Sequence, residues 1–66
     1  MQVGDLVSYQ DIGDKWVGVV KEIIPGFAQY ALVCWIDPRN GKLKHSSINP
    51  SDIRIKIESK ADVQPG

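Results

Sequence analysis

His45-Ser46-Ser47 is the only place in the chain where an imidazole and hydroxyl groups stand side by side. A nucleophilic pair needs the hydroxyl within hydrogen-bond reach of the base and a third group to orient that base. Adjacent residues of a strand point to opposite faces. His45 and Ser46 therefore diverge, His45 and Ser47 share a side without an evident acid, and the segment reads as a polar edge strand. Asp11, Asp14 and Asp37 are the carboxylates that invite a cation site, yet calcium loops place several oxygen ligands at close, ordered spacing. That spacing is absent, and turn chemistry accounts for each Asp. No metal and no cofactor is expected, and the protein is read as a non-enzyme without a small-molecule substrate.

Two other groups of residues suit recognition. Tyr9, Trp16, Phe27 and Tyr30 could supply an aromatic groove, since amphipathic aromatics dominate contact hot spots and line grooves that hold peptides. Arg39, Lys42, Lys44, Arg54 and Lys56 are the candidates for phosphate contacts; Lys42 and Lys44 share a face, as do Arg54 and Lys56, and the last two strands could join them into a stripe. Without aromatics interleaved among them, these cations read more simply as solvated charge. Cys34, the single cysteine, reads as a small apolar residue within its strand.

The elements that position these residues are short. Leu6 to Gln10 forms a first strand entered through a Gly-Asp turn, and 11–15 form a loop. Trp16 to Ile24 is β-branched and aromatic, hence a strand, and Pro25-Gly26 ends it. Residues 25–29 connect it to a third strand, Tyr30 to Ile36. There Ala31, Val33 and Trp35 share one face and Leu32, Cys34 and Ile36 the other. Both faces are apolar, while a small barrel has only one interior. The outer face is therefore a candidate contact surface. Asn40-Gly41 signals a hairpin into the edge strand Leu43 to Ser47, where Lys42 and Lys44 discourage edge-to-edge pairing. Asn49-Pro50-Ser51-Asp52 reads as one 3-10 turn, and Ile53, Ile55 and Ile57 alternate with charged residues as a half-buried last strand. The pattern stops after Glu58. The expectation is a domain over 1–58 and a flexible C-terminal tail over 59–66.

Composition narrows the function class. At 66 residues the chain is one domain with little room for a deep pocket. A core of this size usually needs a disulfide, a metal or a partner, and one cysteine excludes an internal disulfide. Assembly, with a protein partner or as a homo-oligomer, is the remaining support. Eight basic and eight acidic side chains cancel, which disfavours a domain whose affinity comes from phosphates. The charge is uneven, however: residues 1–37 carry two basic and five acidic groups, residues 38–66 six basic and three acidic. The first residues lack the basic and apolar regions of a signal peptide, and no apolar run approaches the ~20 residues that span a bilayer. The expected place is inside a cell or packed into a larger particle, with no membrane contact.

Five short strands, a long first loop and one helical turn before the last strand resemble the SH3-like barrel. Gly4, Asp5 and Val7, then Gly18 and Val20, then Val33, Trp35 and Asp37, and finally Asp52, Ile53 and Ile55 look like the corresponding steps of KOW-type and Tudor-like barrels. They look still more like the small stand-alone barrels encoded by tailed phages, including cyanophages. The resemblance covers about residues 3 to 57. The chain departs from a nucleic-acid-binding KOW module in lacking basic excess, and from a methyl-lysine reader in lacking a clear cluster of aromatics. What the resemblance implies is an all-β, five-stranded SH3-like barrel acting as a phage accessory protein: a virion cement, a tail-associated subunit or a factor that binds a host protein. The expected protein contacts are Tyr9, Trp16, Phe27, Tyr30, Leu32 and Ile36. The alternative is a KOW-like nucleic-acid-binding module using Arg39, Lys42, Lys44, Arg54 and Lys56.

Overall fold

The computed structural model describes residues 1–26 and 29–61. Five antiparallel strands form one sheet: β1 (Leu6–Gln10), β2 (Lys15–Ile24), β3 (Tyr30–Ile36), β4 (Leu43–Ile48) and β5 (Ile55–Ser59). Their spatial order is β4-β3-β2-β1-β5. The two edges, β4 and β5, do not pair, so the sheet is not closed. It is nonetheless curled, because Ile48 at one edge and Ile55 at the other pack against the same core.

Strand parity decides what that core contains. Val7, Val20, Ala31 and Val33 are fully buried and Trp35 is 6% exposed. They share the inner face through the registers Val7↔Gly18, Val20↔Val33 and Gly18↔Trp35. A bulge between Val20 and Glu22 shifts the parity of β2 and returns Ile23 to the inner side opposite Ala31. Gly18 lies directly across from Trp35. A Cβ there would stand 2.7 Å from the Cys34 carbonyl oxygen and 2.8 Å from Trp35 Cε3, so the missing side chain is what leaves room for the indole.

The connections rest on carboxylates and amides. The carboxylate of Asp5, 1% exposed, accepts the backbone N–H of Gln2 at 2.9 Å and of Ala61 at 2.7 Å. It thereby ties the two ends of the described chain together. These N–H groups hold its carboxyl below the usual carboxylate range, Ala61 contributing most. Asp37 accepts the Arg39 N–H, and Gly41 at φ 71° closes the β3–β4 connection with its N–H on the Asp37 carbonyl. Since Gly41 alone of the Asn40-Gly41 pair has positive φ, the hairpin is a longer loop and not a two-residue type I′ turn.

Two expectations need correction. The expected 3-10 turn is a pair of successive turns, closed by Asp52 N–H to Asn49 O and Ile55 N–H to Asp52 O. The intervening Ser51 and Arg54 N–H groups go to the Asn49 and Asp52 side chains instead. Side-chain capping has displaced the repeated backbone bond that a helix requires. Ile53 consequently sits in the second turn, 94% exposed, and not in the last strand. β5 runs to Ser59 and the Ala61 N–H donates to Asp5; residues 62–66 of the expected tail lie outside the described residues. No helix among the described residues is long and apolar enough to cross a membrane.

Candidate functional site

Tyr9 and Trp16 are direct cross-strand partners where β1 and β2 leave their connecting loop, at the end of the sheet away from the Asp5 clasp. Both project to the inner side. The Trp35 indole continues this surface across the open position of Gly18. Because the sheet curls without closing, Ile48 from β4 and Ile55 from β5 face this aromatic bed from either edge. Together they line a cleft of about 430 Å³. That is the size of a small ligand site, and its walls are aromatic and aliphatic.

Two cations border the cleft, each against a ring. Lys44 Nζ stands 5.6 Å from the centre of the Trp16 ring and Arg54 Cζ 5.6 Å from that of Tyr9, within the range of cation–π attraction. Each is also engaged by a carboxylate. Lys44 lies 3.8 Å from Asp37 Oδ2. The Arg54 guanidinium grips Asp52 with Nη2 at 2.8 Å and Nε at 3.1 Å, while the Arg54 backbone N–H adds a third bond. Through the guanidinium first and that N–H second, the Asp52 carboxyl is pulled from 3.8 to about 2 and the guanidinium is pushed up in turn. The rings are thus held by charges that are themselves neutralised. Comparison with protein-family models, curated proteins and solved structures found no match. The chemistry of the cleft must be argued from its own residues: flat apolar contact in the middle, with hydrogen-bonding groups of Ser46, Asn49, Asp11 and the two ion pairs around it.

The residues singled out from the sequence fall on two sides of the sheet. Tyr9 and Trp16 are in the cleft. Tyr30, Leu32 and Ile36 are on the outer face of β3, away from it, and Phe27 lies outside the described residues. The cationic set is divided as well. Lys44 and Arg54 border the cleft, whereas Arg39 leans on Asp14 at 3.5 Å from the β3–β4 loop, and Lys42 belongs to that same loop. Lys56 pairs with Ser8 on the outer side, beside a separate network in which the Ser8 hydroxyl donates to Glu58 and Lys15 Nζ sits 3.1 Å from the same carboxylate. These partners, Ser8 foremost, hold the Glu58 carboxyl below its usual range.

His45 and Ser46 do diverge, His45 pairing with Cys34 and Ser46 with Val33; the Ser46 hydroxyl donates to the Ser47 carbonyl at 3.4 Å. Asp11 caps its own loop by accepting the Ile12 N–H. Among the described residues no group of three or more His, Cys, Asp or Glu side chains could hold a metal ion. Sequence reasoning missed the contributions of Trp35, Ile48 and Ile55. Trp35 reads as core, and it is, but the same ring forms the floor of the cleft. A usable signal was Gly18 facing Trp35, a vacancy beside a large ring on a strand that also carries Trp16.

Proposed function

We propose that the protein is a non-enzymatic binding module that holds a short segment of a partner protein in the cleft between β4 and β5. The observation that carries this reading is the continuous bed of Tyr9, Trp16 and Trp35, bordered by cations whose charge is already balanced. Broad rings of restricted freedom give contact area at low entropic cost, and balanced ion pairs at the border favour hydrogen bonding over bulk charge attraction. The curled five-stranded sheet is consistent with the SH3-like barrel that the sequence resembles. That resemblance supports a role as a phage accessory protein, in the virion or bound to a host protein.

The test is selection of ligands from a random peptide display library, followed by NMR mapping. Binding peptides should shift the Trp16 indole and the Tyr9 and Ile48 signals, and Trp16→Ala should weaken them by at least about tenfold, as expected of an aromatic hot spot. If selected peptides shift only outer-face residues, the cleft reading fails.

One observation favours a second reading. A cation beside each of two rings is also the pattern of platforms that stack single-stranded nucleic acid. In that case an oligonucleotide would shift the same indole, and its affinity would fall with salt by about 0.7 log units per log salt for each phosphate contacted. The carboxylates of Asp37 and Asp52 already face Lys44 and Arg54, which favours a peptide over a phosphate chain.

A further inference from the structure

β4 is an edge strand whose free main chain borders the cleft. The Asp37 N–H donates to the Lys42 carbonyl at 2.8 Å, which sets the phase of the β3–β4 ladder. In an antiparallel pair, hydrogen-bonded and non-hydrogen-bonded positions alternate. Lys44, Ser46 and Ile48 therefore turn their N–H and C=O groups to Trp35, Val33 and Ala31, while Leu43, His45 and Ser47 turn theirs away from β3. β4 has no neighbouring strand on that side, and among the described residues these outward groups have no backbone partner. The Ser46 hydroxyl, 3.4 Å from the Ser47 carbonyl, leaves that oxygen a second lone pair. The cleft lining agrees. It takes in every residue from Lys44 to Asn49, although side chains of a strand alternate faces and those of His45 and Ser47 belong to the outer one. A wall of consecutive residues is a strand met edge-on, so His45 and Ser47 reach the cleft through their main chain. Of β5, only Ile55 lines it. Exposed edges are commonly guarded by lysine, but Lys44 Nζ is drawn inward over the Trp16 ring and towards Asp37.

We propose that the segment held in the cleft is an extended strand of a partner protein that adds to the free edge of β4. This presupposes that the cleft is a peptide site, and it fixes the backbone chemistry of what enters. His45 and Ser47 each offer one N–H and one C=O along the edge, and a strand lying ~4.8 Å away supplies the complement. Every second side chain of that strand points inward, over Trp35 and Trp16. The lining carries two carboxylates, Asp11 and Asp52, and two cations, Lys44 and Arg54. Its charge is balanced, which suits inward side chains that are apolar and uncharged. Other occupants fit less well. A second copy of β4 would bring its own Lys44 and Ser46 onto the rings. Residues 62–66 contain Pro65, which cannot donate to a ladder, and a proline-rich segment likewise lacks the N–H groups the edge would receive.

The experiment selects binders to the full chain from two short-peptide libraries, one alternating apolar residues with Thr, the other carrying Pro at every third position. Peptides from the first should bind better and shift the Trp16 indole. They should slow amide exchange at His45 and Ser47 by about tenfold or more and leave Lys44 and Ser46, already bonded to β3, unchanged. N-methylation at every second residue of such a peptide should weaken binding by about tenfold or more, and N-methylation at the residues between should not. Ser47→Pro removes an N–H from the free side, where an edge strand tolerates proline. It should weaken the same peptides by about tenfold while the free variant keeps the Trp35 signals of the parent. Peptides that shift Trp16 without protecting His45 and Ser47, or a proline library that binds better, overturn the added strand and leave the cleft a peptide site. If no peptide shifts the Trp16 indole, both fall. His45 and Ser47 amides already protected in the free chain also overturn it; sedimentation velocity and truncation after residue 61 would then tell a second copy from residues 62–66 as the cover.

Discussion

Arg54 serves Tyr9 and its own turn at once: its guanidinium stands 5.6 Å from the centre of the Tyr9 ring while gripping Asp52 at 2.8 Å. The turn before β5 and the aromatic wall of the cleft are therefore one mechanical unit, and disturbing the ion pair loosens the ring.

That coupling has a pH signature. The Asp52 carboxyl is depressed from 3.8 to about 2, chiefly by the Arg54 guanidinium. A depressed carboxylate contributes stability that is present in full above its ordinary value and is lost as pH falls from there through about 2. NMR titration of the Asp52 carboxyl carbon should give a midpoint near 2. In Arg54→Ala the midpoint should rise, stopping short of 3.8 because the backbone N–H at position 54 still donates. An unmoved midpoint would show that the guanidinium is not the cause.

The Asp5 clasp predicts a local effect. Asp5→Ala removes the acceptor for the Gln2 and Ala61 N–H groups, so amide exchange at Ala61 should accelerate by about tenfold or more and the melting temperature should fall by several degrees. Acidification below the ordinary carboxylate range should release the same amide in the native chain, since the clasp acts through the ionised form. Ala61 protection that survives the substitution would dissociate the clasp from the anchoring of the chain end.

Gly18 and Gly13 test two different uses of glycine. Gly18→Ala places a methyl group against the Cys34 carbonyl and the Val33 and Trp35 side chains, and urea unfolding should register a loss of about 1–3 kcal/mol with displaced Trp35 signals. Gly13 has open space around it but φ 81°, so Gly13→Ala should cost about 1–2 kcal/mol through backbone strain and leave Trp35 unmoved. Equal movement of Trp35 in both variants would refute the assignment of Gly18 to ring packing.

At the β3–β4 loop, the buried acid should matter and the exposed base should not. Arg39 reaches Asp14 and Asp37 at 3.5 and 4.0 Å with 70% of its side chain exposed, so Arg39→Ala should change stability by less than about 0.5 kcal/mol. Asp37→Ala removes the acceptor of the Arg39 N–H from a side chain that is 7% exposed and should cost about 1–3 kcal/mol. It should also loosen Lys44 from the cleft border, visible as a shift of the Trp16 indole.

The strands were legible because period-two patterning and turn residues act over a few neighbours. The limits expected for the first and third strands are those observed, and the parity that puts Val33 and Trp35 inside and Ile36 outside follows from alternation alone. Ile53 shows where the reasoning stops. It continues an alternating series, yet the Asp52 side chain captures the Arg54 N–H and postpones the strand to Ile55. The cleft was half legible. Tyr9 opposite Trp16 is a consequence of hairpin pairing, but the approach of Ile48 and Ile55 depends on sheet curl, which no local pattern encodes. The placing of Lys44 and Arg54 against the rings has the same origin.

The clasp that joins Gln2, Asp5 and Ala61 lies at the end of the sheet remote from Tyr9 and Trp16. A label or tether fixed at Gln2, within that clasp, is therefore held at the pole opposite Tyr9 and Trp16 and leaves the aromatic end of an immobilised copy free of the surface that carries it.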